Sequence, residues 1–400
     1  MNIRSNEPYW LLRDGLVRSY PSLHENLRCD VAVIGAGITG ALMAHALTAA
    51  GLSVVVVDRR DVGSGSSSAS TAMLQYEIDT PLHKLIPMVG EEIAVGSYRA
   101  CQDAIKGIGR LSRSIRSQCG FTDKQSLYLG RRRGDVRFLQ KEFETRIRHG
   151  FDARWLDRDT LRTEFDVDLP AAILTKDAAE ISAYRLAHDL LATAVRKGAE
   201  VFDHVEIEKT VPHAAGVTLT TDTGSTIEAA HIVYCTGYES QAMLPETVVK
   251  LKSTFALVTE PLKQLPRIMD KTLAWDTATP YLYLRTTDDN RILIGGEDEP
   301  FKNAQLRDVL IERKAKKLEK SLHTLLPQLD FVTDFTWAGT FGETKDGLPY
   351  IGAHPDYPHS FFALGFGGNG ITFSWMAANY IRDALLGKAV PELGWYRFGR

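Results

Sequence analysis

Three glycines, Gly35, Gly37 and Gly40, form the run G-A-G-I-T-G directly after an apolar stretch and directly before a helix-forming one. That context suits a pyrophosphate. The first glycine permits a tight turn, the second lets phosphate oxygens approach backbone N–H groups at a helix start, and the third lets helix and strand pack closely. Ala36, Ile38 and Thr39 offer their backbone to the same ligand. Asp58 lies 18 residues after Gly40, at the end of L-S-V-V-V-V-D. A carboxylate there accepts hydrogen bonds from a ribose and repels a 2′-phosphate, which opposes NADP. The adjacent Arg59 and Arg60 read either as partners of adenine or pyrophosphate or as a solvated turn.

A second run, G-F-G-G-N-G at 365–370, spells the same pattern, but the sequence ends 30 residues later with neither a further strand nor an acidic ribose partner. A second dinucleotide fold cannot be built from it. What remains is a loop whose N–H groups, with the following helix start, make a positive pole. Such a pole suits the N1–C2=O edge of a flavin, which becomes negative when the ring gains electrons. With no separate nicotinamide domain, electrons enter from a bound substrate and leave to oxygen or another acceptor.

These motifs need elements to position them. Residues 29–58 read as strand, glycine turn, helix and strand, a βαβ unit, followed by a Gly/Ser-rich loop at 63–70 placed to donate to phosphates. Helical pattern covers 86–118, with short strands at 126–129 and 171–174. A helix is expected at 184–197, then strands at 200–209, 217–221 and 232–235. Further strands are expected at 250–259, 281–285 and 291–295, then a charged helix at 303–325 and an apolar helix at 371–386. The fold expected is α/β with an α+β second part: a Rossmann-type cofactor domain (1–85, 150–248 and 335–400) and a mixed-sheet substrate domain inserted discontinuously (86–149 and 249–334).

A chain of 400 residues, 44% hydrophobic and 24% charged, has enough material for a large core. Its net charge of −3 gives no basic excess for a nucleic acid. Cys29, Cys101, Cys119 and Cys235 form no C-x-x-C and read as reduced cytoplasmic thiols. The histidines show no metal spacing. No apolar stretch approaches the ~20 residues of a membrane span, and the polar N-terminus lacks a signal-peptide core.

With I-V-Y-C-T-G-Y at 232–238 and T-K-D-G-L-P-Y-I-G at 344–352 added to the motifs above, the chain resembles the FAD-dependent amine and amino-acid oxidases. That family includes D-amino-acid oxidase, glycine oxidase, sarcosine oxidase and γ-glutamylputrescine oxidase. Y-W at 9–10, Y-P-S-L at 20–23 and Y-L-R-T-T-D-D-N-R-I-L-I-G-G at 283–296 resemble the γ-glutamylputrescine oxidase branch, and 337–386 resembles glycine oxidase.

The resemblance implies FAD, with Arg59 beside it and with Ser66, Ser67, Ser70, Thr71, Ala72 and Met73 along the pyrophosphate and isoalloxazine ring. Val205 would meet adenine through its backbone. Thr236 and Gly237 would close over the pyrophosphate. Gly368, Asn369, Gly370, Ile371 and Thr372 would face flavin O2. Gly339 stands where sarcosine oxidases that bind flavin covalently have a cysteine, so the FAD is expected to be non-covalent. Phe341 stands where glycine oxidase has its carboxylate-binding arginine, which moves the expected substrate away from simple α-amino acids.

On the substrate side, Tyr281, Tyr283 and Arg285 alternate along one strand and share a face, where they would hold an anionic or amide-bearing group or pack in a domain interface. Trp275 and Trp337 would wall an amine pocket or fill core. The expected function is hydride transfer from the carbon beside a neutral small amine to flavin N5, with oxygen as acceptor. A dehydrogenase feeding a quinone or carrier protein, and a non-catalytic flavin-binding subunit, are the alternatives.

Overall fold

The computed structural model describes residues 2–5 and 7–400. Leu27–Ile34 lies at the heart of a sheet because its neighbours bury it on both faces. It pairs in parallel with Val54–Val57 on one side and Thr226–Tyr234 on the other. Glu200–Phe202 and Tyr357–Leu364 extend the parallel array outward, and Tyr350–His354 closes one edge antiparallel. The run Val54–Val57 is buried throughout, as a two-sided strand must be. Helices Ile38–Ala49, Glu91–Ser114, Ala183–Arg196 and Gly370–Leu385 supply buried residues to the core that covers this sheet.

A second sheet runs in the order Thr333–Glu343, Lys250–Thr259, Ile292–Pro300, Tyr283–Thr286, Thr272–Asp276, Thr122–Gly130, Ala171–Glu180, Met73–Gln75. Its pairings are antiparallel except that of Thr272–Asp276 with Thr122–Gly130. The amphipathic helix Ile311–Leu325 packs Leu318, Leu322 and Leu325 into the core on one face. The fold is therefore mixed α/β, a Rossmann-type sheet joined to a mixed sheet.

Several local expectations shift in the tertiary setting. The stretch 200–209 is two strands, Glu200–Phe202 and Ile207–His213, because the intervening residues carry His204 at φ 52 and leave the sheet. The charged helix at 303–325 breaks at Leu310 into Ala304–Val309 and Ile311–Leu325. In the first piece, Arg307 is buried and donates to the Asn2 carbonyl at 3.1 Å and to Thr340 Oγ1 at 3.2 Å, which sets that helix against a sheet edge. Ala153–Asp157 and Ala171–Glu180, read from sequence with the cofactor segments, pair in the second sheet, as does Thr333–Glu343. Strand pairing decided this, and pairing partners lie far away in sequence.

Among the described residues, no helix is long and apolar enough to cross a membrane, and no group of three or more His, Cys, Asp and Glu is arranged to hold a metal ion.

Candidate active site

The parallel strands end together, so the segments that follow them converge on one edge, where open α/β sheets bind ligands. Gly35 follows the first strand, Asp58 the second, Cys235 to Gly237 the third and Gly365 the fourth. Gly35 has φ +101, and a Cβ there would stand 2.5 Å from the Cys235 carbonyl oxygen. A Cβ on Gly40 would stand 1.8 Å from the Gly35 carbonyl oxygen, so the helix start and the turn are in direct contact. The helix Ile38–Ala49 has no side-chain N-cap on Gly37; Ser67 Oγ accepts the Ile38 N–H at 2.8 Å. Its N-terminal pole faces a cavity of about 490 Å3.

Asp58 is fixed by two backbone donors, Ala36 N–H at 2.7 Å and Arg60 N–H at 2.9 Å. Burial raises its pKa, and the two donors act against that rise. Each carboxylate oxygen thus already takes one donor, leaving further lone pairs for a ribose. Asp58→Ala would strand both amides and remove that acceptor. We expect FAD affinity to fall about 10- to 100-fold, since hydrogen bonds to charged groups are worth about 1.5–3 kcal/mol. An FAD titration of the stripped protein with an unchanged dissociation constant would contradict this role.

Arg59 and Arg60 are not a free basic turn. Arg59 pairs with Glu206 at 3.0 Å and with Glu239, and Arg60 pairs with Glu239 at 2.8 Å. The clasp closes over the same end of the cavity as Asp58 and Val205. Both guanidiniums already face carboxylates, an arrangement that offers little to a 2′-phosphate.

The loop after Gly65 is held from behind. Trp337 Nε1 donates to the Ala69 carbonyl at 2.9 Å, and Trp10 Nε1 to the Ser70 carbonyl at 2.7 Å. Arg285 Nη1 donates to the carbonyls of Thr71, Ala72 and Ile181 at 3.0, 3.1 and 2.6 Å. With those carbonyls occupied behind it, the loop presents Ser66, Ser67, Ser70, Thr71, Ala72 and Met73 to the cavity.

Most of the sequence-derived positions meet there. Gly35, Gly37, Ile38, Thr39, Asp58, Arg59, Val205, Thr236, Gly237, Gly368, Asn369, Gly370 and Ile371 line the cavity with the 66–73 loop. Four expected residues lie outside the lining. Ala36 gives its N–H to Asp58, Gly40 is packed on Gly35, and Thr372 is buried with its hydroxyl donating to the Asn369 carbonyl at 2.9 Å. Arg285 shares strand parity with Tyr283 as expected, but the 66–73 loop and Trp10 cover the sheet at that point; the guanidinium sits 5.3 Å from the Trp10 ring and is 3% exposed. In two lining residues the backbone N–H is already engaged. Gly368 N–H donates to Asp79 at 2.8 Å, and Val205 N–H donates to the Asp58 carbonyl at 2.9 Å.

The other end of the cavity is a chamber walled by Trp275, Tyr281, Tyr283, Trp337 and Phe341. Trp275 stacks on Tyr128 at 3.7 Å, and Tyr281 and Tyr283 lie 5.6 Å apart. Gly339 also faces the cavity, so no thiol stands at that position. Asp79 and Asp298 belong to the wall and were not singled out from sequence. Asp79 lies in an unremarkable run, Q-Y-E-I-D-T. Asp298 carried one usable signal: strand alternation separates it from Glu297 and Glu299, both of which pair with Lys314.

The features fit a flavin dinucleotide: an open helix pole, a ribose-type carboxylate, and one continuous cavity leading from them past a glycine loop to an aromatic chamber. A parallel sheet feeding such a cradle, joined to a mixed sheet that walls the chamber, defines a two-sheet FAD-binding oxidoreductase. The chain belongs to the FAD dependent oxidoreductase family, whose profile matches residues 30–384. Glycine oxidase from Geobacillus kaustophilus (strain HTA426) is 26% identical over 369 residues, covering 89% of this chain and 92% of its own. Gamma-glutamylputrescine oxidoreductase from Escherichia coli (strain K12) is 25% identical over 379 residues, covering 92% and 86%. The crystal structure of the Geobacillus kaustophilus glycine oxidase superposes with a TM-score of 0.78 at 22% identity, covering 91% of this chain and 96% of that one.

Proposed function

We propose that the chain oxidises the C–N bond of a small primary or secondary amine or amino-acid derivative in the cytoplasm, with oxygen as the electron acceptor and hydrogen peroxide as product. The observation that carries this reading is the continuity of one cavity from the dinucleotide cradle to the aromatic chamber. Bound there without a covalent link, FAD would supply a hydride acceptor at N5. The chain's own work is positional. Tyr281, Tyr283, Trp275 and Phe341 exclude water and hold the substrate carbon, which lowers the entropic part of the barrier. The helix Gly370–Leu385, with no side-chain N-cap, directs its positive end at the cavity lining and favours negative charge there. The amine needs only to bind neutral, so no strong base is required.

The test is anaerobic mixing of the yellow protein with a broad amine panel, followed by admission of air. Bleaching by an amine and stoichiometric peroxide are expected. An unbleached flavin across the whole panel overturns the reading, and bleaching without peroxide replaces the oxidase with a dehydrogenase.

A further inference from the structure

Carboxylates line both ends of the cavity, and their compensation differs. At the adenosine end, Glu206 and Glu239 face Arg59 and Arg60. Near the middle, Glu77 Oε1 accepts from the fully buried Arg146 at 3.1 Å and from Thr175 at 2.8 Å, so a guanidinium balances its charge although its Oε2, too, is buried without a hydrogen-bond partner. At the chamber end no such partner closes the account. Asp79 accepts the Gly368 N–H and a hydrogen bond from Tyr281. Asp298 is held by Thr254, which also meets the Tyr283 hydroxyl at 3.1 Å, and its Oδ1 is buried with no hydrogen-bond partner. The nearby cation, Lys252, is engaged with Glu343 at 2.7 Å. Among the described residues lining the cavity, the Lys and Arg side chains are Arg59 and Arg60, both at the far end.

A buried carboxylate oxygen without a donor is costly unless something binds it. Burial pushes Asp298 up to about 6, with Glu343 and Asp79 adding to the rise and Thr254 and Lys252 opposing it. Asp79 and Asp298 stand beside the hydroxyls of Tyr281 and Tyr283, in a chamber whose aromatic walls attract cations. A substrate carboxylate would meet like charge here and no guanidinium.

We infer that the chamber selects a substrate with two basic nitrogens, an α,ω-diaminoalkane type of molecule, and that Asp298 holds the nitrogen that is not oxidised as an ammonium ion against Tyr281 and Tyr283. The oxidised nitrogen cannot be the one on Asp298. Hydride leaves a carbon whose neighbouring nitrogen must lend its electron pair, and a carboxylate keeps an amine protonated. The carboxylate therefore serves the remote nitrogen, and chain length sets which carbon reaches the flavin side of the cavity. This inference rests on the amine-oxidation reading and narrows it.

The experiment compares a diaminoalkane, the alkylamine of equal length and the ω-amino acid of equal length on the FAD-loaded protein. Dissociation constants come from the flavin absorbance change, and bleaching rates are measured without oxygen. We expect the diamine to bind about tenfold or more tightly than the alkylamine, a charge-assisted hydrogen bond's worth, and the ω-amino acid to bind weakest. Asp298→Asn should reduce the diamine preference to near unity through binding, with the limiting bleaching rate changed far less.

An alkylamine that binds as tightly as the diamine, or an ω-amino acid that binds more tightly, overturns the inference while leaving amine oxidation intact. A flavin that no amine bleaches overturns the function itself. An unaltered preference in Asp298→Asn also overturns the assignment of Asp298. The ligand comparison on the parent protein stands even where that variant fails to fold.

Discussion

Gly40→Ala is expected to give protein that neither holds FAD nor reaches the parent's stability. The added Cβ would sit 1.8 Å from the Gly35 carbonyl oxygen, a contact with rigid backbone on both sides. Overpacking with flexible side chains costs about 1–3 kcal/mol, and here neither partner has a rotamer to change. Relief requires the helix Ile38–Ala49 to lift from the strand Leu27–Ile34, which opens the turn that shapes the phosphate cradle. We expect a loss of more than about 3 kcal/mol and no flavin absorbance after desalting. Gly40 does not line the cavity, so the effect is steric and not a lost ligand contact. A Gly40→Ala protein that retains stoichiometric flavin and the parent's unfolding midpoint would refute it.

Arg285→Met should be nearly as severe, for an electrostatic reason. Its guanidinium satisfies carbonyls of Thr71, Ala72 and Ile181 and stands 3.6 Å from Glu180. Burial lowers its pKa and the Glu180 charge raises it back. Methionine fills comparable space but offers no donor. Removing one partner of a buried charged pair costs about 3–5 kcal/mol when the other is left unpaired. Glu180 keeps Lys124 at 3.4 Å, which puts the cost toward the lower end, and two of the three carbonyls left without a donor, those of Thr71 and Ala72, belong to the loop that presents Ser70 to Met73. We expect a lower unfolding midpoint together with weaker FAD binding. Arg285→Lys should recover part of the stability, because it restores charge beside Glu180, but less of the FAD affinity, because one ammonium cannot serve three carbonyls. If Arg285→Met binds FAD normally and instead loses only substrate affinity, the residue faces substrate and the structural role is wrong.

The contrast between these two positions shows what could be read early. Gly35, Gly37, Gly40 and Asp58 were legible because a tight turn, a helix start and a strand end lie within one short stretch. There Gly35 needs its positive φ and Gly40 packs on the Gly35 carbonyl, whereas the contacts of Gly35 with Cys235 and of Gly37 with Ser67 are made only in the fold. The glycine loop at 365–370 was legible as a strand-to-helix turn, although Gly365, Gly367 and Gly368 are crowded by Thr344, Tyr350, Asp79 and Tyr281 from distant segments. Arg285 was placed on the correct face of its strand by alternation, yet that face is covered at its position by a loop some 210 residues earlier in the chain. Alternation reports the side of a sheet, not what lies upon it. Asp79 and Asp298 escaped notice because an acidic residue in a sequence is ordinarily solvated; each becomes a wall residue only when strands from different regions close the chamber.

The sequence alone marked the turn after the first strand as a dinucleotide site, read Asp58 as a partner of a ribose rather than a 2′-phosphate, and resembled the FAD-dependent oxidases; the chain belongs to the FAD dependent oxidoreductase family. Those features depend on the local turn and strand geometry of neighbouring residues. The tertiary structure decided which charges are compensated. Glu77 found Arg146 and Glu239 found Arg59 and Arg60, so each keeps a guanidinium partner even though one Glu77 oxygen is buried without a hydrogen bond; Asp298 keeps such an oxygen with no guanidinium beside it. Charge compensation depends on distances between residues far apart in the chain, and only the folded arrangement fixes those distances.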